Sequence, residues 1–110
     1  MLLQTPELVE PKTAKLPSVI EFNVTDEDIL LGAKGNTWQC PIARSVNRTL
    51  LLDGYEFDRV SVVFSTITVY RGHAGHYYDH SYANFVGSFD SGIEVAPFTG
   101  QALAECKASG

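Results

Sequence analysis

Polar and apolar residues alternate through VIEFNV (residues 19–24), with Ile20, Phe22 and Val24 on one side and Val19, Glu21 and Asn23 on the other. That two-residue period predicts a half-buried strand with Ile20, Phe22 and Val24 inward. TDEDILLGAKG follows, and here Thr25 is placed to cap a helix, with Asp28 three positions on as a capping-box variant. The acidic first turn suits the helix dipole, and Gly32 or Gly35 ends a short helix. Three neighbouring carboxylates raise the question of calcium, but the spacing of an EF-hand loop is missing and capping is the better account.

NTWQCPIARSVNRTLLLDG predicts a second helix. Pro41 suits a first helical position, and Ile42, Val46 and Leu50 recur every four residues with Ala43 beside them. Gly54 closes it. The competing reading, in which Asp53-Gly54 turns a hairpin, is outweighed by that recurrence. RVSVVFSTITVYRG carries the clearest strand signal: Val60, Val62 and Phe64 alternate with Ser61, Val63 and Ser65, and Ile67 and Val69 with Thr68 and Tyr70. Ser65-Thr66 marks a tight turn or bulge, giving a hairpin or one long bent strand. In DHSYANFVGSFDSG the helical period returns, with Tyr82, Phe85, Val86 and Phe89 on one face and Gly92 as terminator. IEVAPF (93–98) is a candidate last short edge strand, broken by Pro97.

The predicted order is therefore β-α-α-β-β-α with that candidate strand at the end. This is an α+β fold, a small antiparallel sheet packed by two or three helices. Residues 1–17 read as a flexible arm, since Pro6, Pro11 and Pro17 exclude helix and central strand. Residues 18–99 form the domain and 100–110 a loose tail. A chain of 110 residues is long enough for one core without staples.

Charge narrows the partners. A net charge of -5 lacks the basic footprint that displaces counterions from phosphates, so direct nucleic-acid binding is not expected. MLLQTPELVEPK has no basic start, no apolar run approaches a membrane span, and the two cysteines, Cys40 and Cys106, make no disulfide framework. These features predict a cytoplasmic protein with no membrane contact and no cofactor.

RGHAGHYYDH (71–80) holds all three histidines. His73, His76 and His80 are the candidate metal ligands, yet Gly72 and Gly75 place them in a turn rather than on one helical face, and only Cys40 offers a remote fourth ligand. A solvated connection is expected, with Asp79 or Ser81 capping the last helix. Asp79, His80 and Ser81 have the residue types of a hydrolytic triad, but chain neighbours do not converge as one. Cys40, before Pro41 at a helix start, is the candidate reactive thiol. No catalytic residue is assigned. Tyr70, Arg71, Tyr77 and Tyr78 crowd the same connection and are the candidate protein-binding surface.

FNVTDEDILLG, CPIARSV, VSVV and YYDHSYANFVGSFDSGIEVAPF together resemble small proteins of tailed bacteriophages of actinobacteria and cyanobacteria, over residues 19 to 98 or so. The histidines and the proline arm lie outside the shared pattern. The resemblance implies a non-enzymatic phage accessory protein, in the host cytoplasm, that binds and modulates a host protein such as a defence or nucleic-acid-processing complex. The alternative from the residues is a small metal-binding protein using the histidine-rich loop, or a thiol protein.

Overall fold

The structure, a computed structural model, describes residues 15–105. Strand β1 (Val19–Val24) leads into helix α1 (Asp26–Leu31) and helix α2 (Pro41–Leu52). Three strands follow, β2 (Arg59–Val63), β3 (Thr66–Arg71) and β4 (Ala74–Asp79), then helix α3 (Ala83–Asp90) and strand β5 (Phe98–Ala104). All five strands form one antiparallel sheet in the order β1-β5-β4-β3-β2. The α+β class holds.

The sheet curls. Helix α2 packs against both β1 and β2, the two opposite edges of the sheet. Its stripe of Ile42, Ala43, Val46 and Leu50 is buried against Ile20, Phe22 and Val24 of β1, Val60 and Val62 of β2, Ile67 and Val69 of β3, Tyr78 of β4 and Ala102 of β5. Strand register explains this list: Ile20 faces Ala102, Ile67 lies between Val62 and Tyr78, and Val69 is opposite Val60. One face of every strand therefore contributes to the core that the helix closes. Helix α3 is more marginal than its apolar stripe suggests. Val86 reaches the central cluster, while Phe85 and Phe89 stack on each other with centroids 6.4 Å apart.

Local signals set most boundaries. Thr25 and Asp28 exchange capping bonds, 3.1 Å from the Asp28 amide to the Thr25 hydroxyl and 3.0 Å from the Thr25 amide to the Asp28 carboxylate. Pro41 opens α2 behind Cys40, whose Sγ accepts the Ala43 amide at 3.4 Å. Gly54 and Gly92 follow α2 and α3 at positive φ.

Four readings need correction. Between Gly72 and Asp79 the chain is not a solvated connection. Gly72, at φ 59, opens a two-residue turn with His73 and returns the chain as β4. The turn between β2 and β3 sits at Phe64-Ser65, one residue early, because Val63 pairs with Thr66. The last strand is not IEVAPF but Phe98–Ala104, so residues 100 to 104 of the supposed tail are paired between β1 and β4. Its inward positions are Gly100 and Ala102 because aromatic rings already fill that space; a Cβ on Gly100 would lie 2.7 Å from the Tyr82 ring. At the other end Leu16 is buried and the Pro17 carbonyl accepts the Tyr78 hydroxyl at 2.6 Å, so residues 16 and 17 belong to the domain. The rest of the arm, and the tail from Cys106, lie outside the described residues.

Asp28 ties α1 to α2. Its side chain is wholly buried, with Arg48 Nη2 2.7 Å and Arg44 Nε 3.3 Å away. Burial pushes its pKa up, but the hydrogen bonds and charge of Arg48 and the Thr25 cap outweigh this and hold it at about 2, below the usual 3.8. A carboxylate with a lowered folded pKa stabilises above its unfolded value and loses that contribution as pH falls toward the folded one. The shift corresponds to about 2 kcal/mol. Asp28→Asn should therefore be about 2 kcal/mol less stable than the parent in denaturant titrations at pH 7. The gap should close as pH falls from about 4 to about 2. A pH-independent gap would show that the ion pairs do not set the shift.

Candidate functional site

With the inner face of the sheet filled by α2, alternation leaves the outer face to Val19, Glu21 and Asn23 of β1, Thr99, Gln101 and Leu103 of β5, Gly75, Tyr77 and Asp79 of β4, Thr66, Thr68 and Tyr70 of β3, and Arg59, Ser61 and Val63 of β2. No described helix packs on this side. It nevertheless carries large apolar side chains, among them Leu103 at 51 % exposure, Tyr77 at 47 % and Val63 at 46 %.

At one corner stands a built aromatic site. Arg59 and Tyr70 are cross-strand partners, and Trp38 closes over them. The Arg59 guanidinium carbon lies 4.5 Å from the Trp38 ring centre and 5.4 Å from that of Tyr70, with the two rings 5.9 Å apart. An arginine packed against two aromatic rings that also touch each other is favourably placed, and these contacts hold its planar donors in one orientation. The loop that delivers Trp38 is pinned: Asn36 Oδ1 accepts the amides of Trp38 and Gln39, and the Thr37 carbonyl accepts the Val62 amide on the β2 edge at 2.8 Å. Beyond this stack the Arg59 side chain makes no hydrogen bond or ion pair with the described residues.

Tyr77 extends the row. Its hydroxyl would lie 3.3 Å from a Cβ on Gly75, so the missing side chain lets the phenol lie along the strand. Beneath these rings Ser61 and Thr68 are buried although no described helix covers them.

The four residues expected at a contact surface divide. Tyr70 and Tyr77 lie on the outer face. Tyr78 alternates inward and is 2 % exposed, its hydroxyl spent on Pro17 and its pKa raised by burial. Arg71 shares that inward parity at the sheet's end, where its Nε donates to the Glu56 carbonyl at 2.8 Å. Trp38 and Arg59 escaped the sequence reading. The available signal was Arg59 beginning a strand whose odd positions, Arg59, Ser61 and Val63, are the outward ones.

The histidines are dispersed. His73 sits in the β3–β4 turn, His76 is exposed on β4, and His80 is buried just beyond the strand. Four residues of strand separate His76 from His80 by about 13 Å, with Tyr78 turned into the core between them. No group of three His, Cys, Asp or Glu side chains able to hold a metal occurs among the described residues. His80, not Asp79 or Ser81, secures the start of α3: its Nδ1 accepts the Tyr82 amide at 2.9 Å and its ring stacks on that of Tyr82. Cys40 is buried, and burial pushes its thiol pKa up, opposite to what a reactive thiolate needs.

No described helix is long and apolar enough to cross a membrane. Compared with protein-family models, curated proteins and solved structures, the chain matches none.

Changing His73 and His76 together to Asn, or adding a chelator, should shift stability by no more than about 0.5 kcal/mol. His80→Ala should cost about 1–3 kcal/mol, because the Tyr82 amide loses its acceptor. A stoichiometric metal ion in the purified protein, lost in the double variant, would contradict this geometry.

Proposed function

We propose that this protein is a protein-binding module whose contact surface is the outer face of the curled sheet, centred on Trp38, Arg59, Tyr70 and Tyr77. The observation that carries the reading is the exposed Trp38–Arg59–Tyr70 stack on a face that no described helix covers. Trp, Tyr and Arg are the residue types that dominate interface energetics, and rings already held in place lose little entropy on binding. Leu103 and Val63 add apolar area on the same face.

The partner chemistry follows from charge. Arg59 presents a stacked guanidinium that no carboxylate of the described residues pairs, so the partner supplies a carboxylate there, set in an apolar patch. A single-stranded nucleic acid is the less favoured ligand: stacking rings are present, but the same face also carries the carboxylates of Glu21 and Asp79, and the chain is acidic overall. The resemblance to phage accessory proteins makes a host cytoplasmic protein the partner to seek, and modulation of that protein the role.

The test has two stages. A partner recovered from host lysate with the tagged protein is purified and its affinity measured by calorimetry. Trp38→Ala and Tyr77→Ala should each weaken binding by about 2 kcal/mol or more while the far-UV spectrum stays unchanged. Leu52→Ser, on the exposed side of α2, should bind as the parent does. Equal affinity for all of them would move the interface elsewhere. Binding to single-stranded oligonucleotides with a steep salt dependence would replace the protein partner by a nucleic acid.

A further inference from the structure

The proposed contact face makes no use of the one buried histidine among the described residues. His80 is 6 % exposed, at the joint where the sheet divides: β4 pairs with β5 only at Tyr78 and Asp79, and the chain then turns away toward α3. Three structural parts meet on it. Its backbone amide donates to the Ser65 carbonyl in the β2–β3 turn at 2.8 Å. Its Nδ1 accepts the Tyr82 amide, which fixes the ring proton on Nε2. Its ring lies parallel to that of Tyr82, with centroids 5.8 Å apart and planes 8° from parallel. Nε2 is buried and makes no hydrogen bond of good geometry with the described residues, although the Phe64 backbone is close enough to favour a proton on the ring.

Tyr82 in turn serves the other half of the sheet. Its hydroxyl accepts the Gln101 amide from β5 at 3.3 Å, and its carbonyl accepts the Val86 amide that begins α3 at 3.1 Å. Its ring packs against Phe98 at 4.8 Å and Phe22 at 5.8 Å. The imidazole therefore holds one side of a joint whose other side is the β5 edge and the first turn of α3.

We propose that His80 is an acid-sensitive latch: neutral, it holds Tyr82 and the start of α3 against the sheet, and protonation releases both. A proton on Nδ1 turns the acceptor of the Tyr82 amide into a donor, so two N–H groups face each other. The added positive charge sits where water does not reach. The charged or titratable groups facing the ring are few. Asp79 on its own strand favours the charged form, the Tyr82 phenol stacks on it, and the β2–β3 turn faces it with backbone alone. Burial outweighs the Phe64 backbone and Asp79 and holds the imidazole below its ordinary 6.5. With the folded value lowered, the stabilisation is complete above about pH 6.5 and is lost as pH falls through the folded value.

Amide hydrogen exchange on the whole chain, in a background with His73 and His76 changed to Asn, reads the latch residue by residue. With intrinsic exchange rates corrected for pH, protection at Tyr82, Val86 and Gln101 should fall as pH is lowered from 7 through the folded value of His80, which lies below 6.5, while that of Val46 in α2 persists. His80→Asn places an amide oxygen where Nδ1 stood and takes no proton in this range, so its protection at the three amides should be independent of pH. The same pH-dependent loss in His80→Asn, or no loss in the parent, overturns the proposal. Should the variant fail to fold, the imidazole nitrogen shifts of the parent decide. A neutral Nε2–H tautomer that titrates below the free-histidine value together with the loss of protection supports the latch, and a ring already doubly protonated at pH 7 rules it out.

Discussion

One helix has to satisfy both edges of a five-stranded sheet. At about 4.8 Å between strands, a flat sheet of this size is about 19 Å across, whereas a helix with its side chains is about 10 Å thick. Strands β1 and β2 both touch α2 although they are the outermost pair. The sheet meets that condition only by curling, and the curl assigns every residue of every strand to one of two environments. Inward positions become a single core of branched aliphatics with Phe22 and Tyr78. Outward positions form a convex face that α2 cannot reach.

The remaining elements follow from that arrangement. Helix α1 is too short to bury much and is held instead by the Asp28 ion pairs to α2. The loop of residues 33–40 runs along the β2 edge, blunting an otherwise open strand and carrying Trp38 onto the outer face. Helix α3 covers the joint where β4 and β5 part, and it does so through Tyr82 and His80. Stability and the proposed binding thus reside on opposite sides of the same strands. Side chains of the aromatic row can change with little effect on the core.

Much of this was legible in residue order. The Thr25–Asp28 box, Pro41 at the start of α2 and the Ile42–Val46–Leu50 stripe are local signals, and each appears where the chain places it. The alternation of β1, β2 and β3 was equally plain because branched apolar residues mark the inward positions. What escaped notice depends on tertiary context. Strand β4 has His76 and Ala74 at inward positions and a glycine outward, so no apolar period shows. Strand β5 has Gly100 and Ala102 at its inward positions, and at Gly100 the Tyr82 ring occupies the space a side chain would need. Tyr77 and Tyr78 are indistinguishable by type, and only register separates an exposed ring from a buried one. The Trp38–Arg59–Tyr70 stack joins a loop to two strands, a proximity that no spacing rule contains.

That last pair of tyrosines offers the most direct measurement. Hydroxyl-radical footprinting of the free protein, read by peptide mass spectrometry with residue-level assignment, compares neighbours of equal intrinsic reactivity on one strand. Tyr77 and Trp38 should oxidise rapidly and Tyr78 should be strongly protected, since they are 47 %, 40 % and 2 % exposed. Equal oxidation of Tyr77 and Tyr78 would contradict β4 as a strand of the sheet. Protection of Tyr77 with oxidation of Tyr78 would reverse the two faces and remove the proposed contact surface altogether.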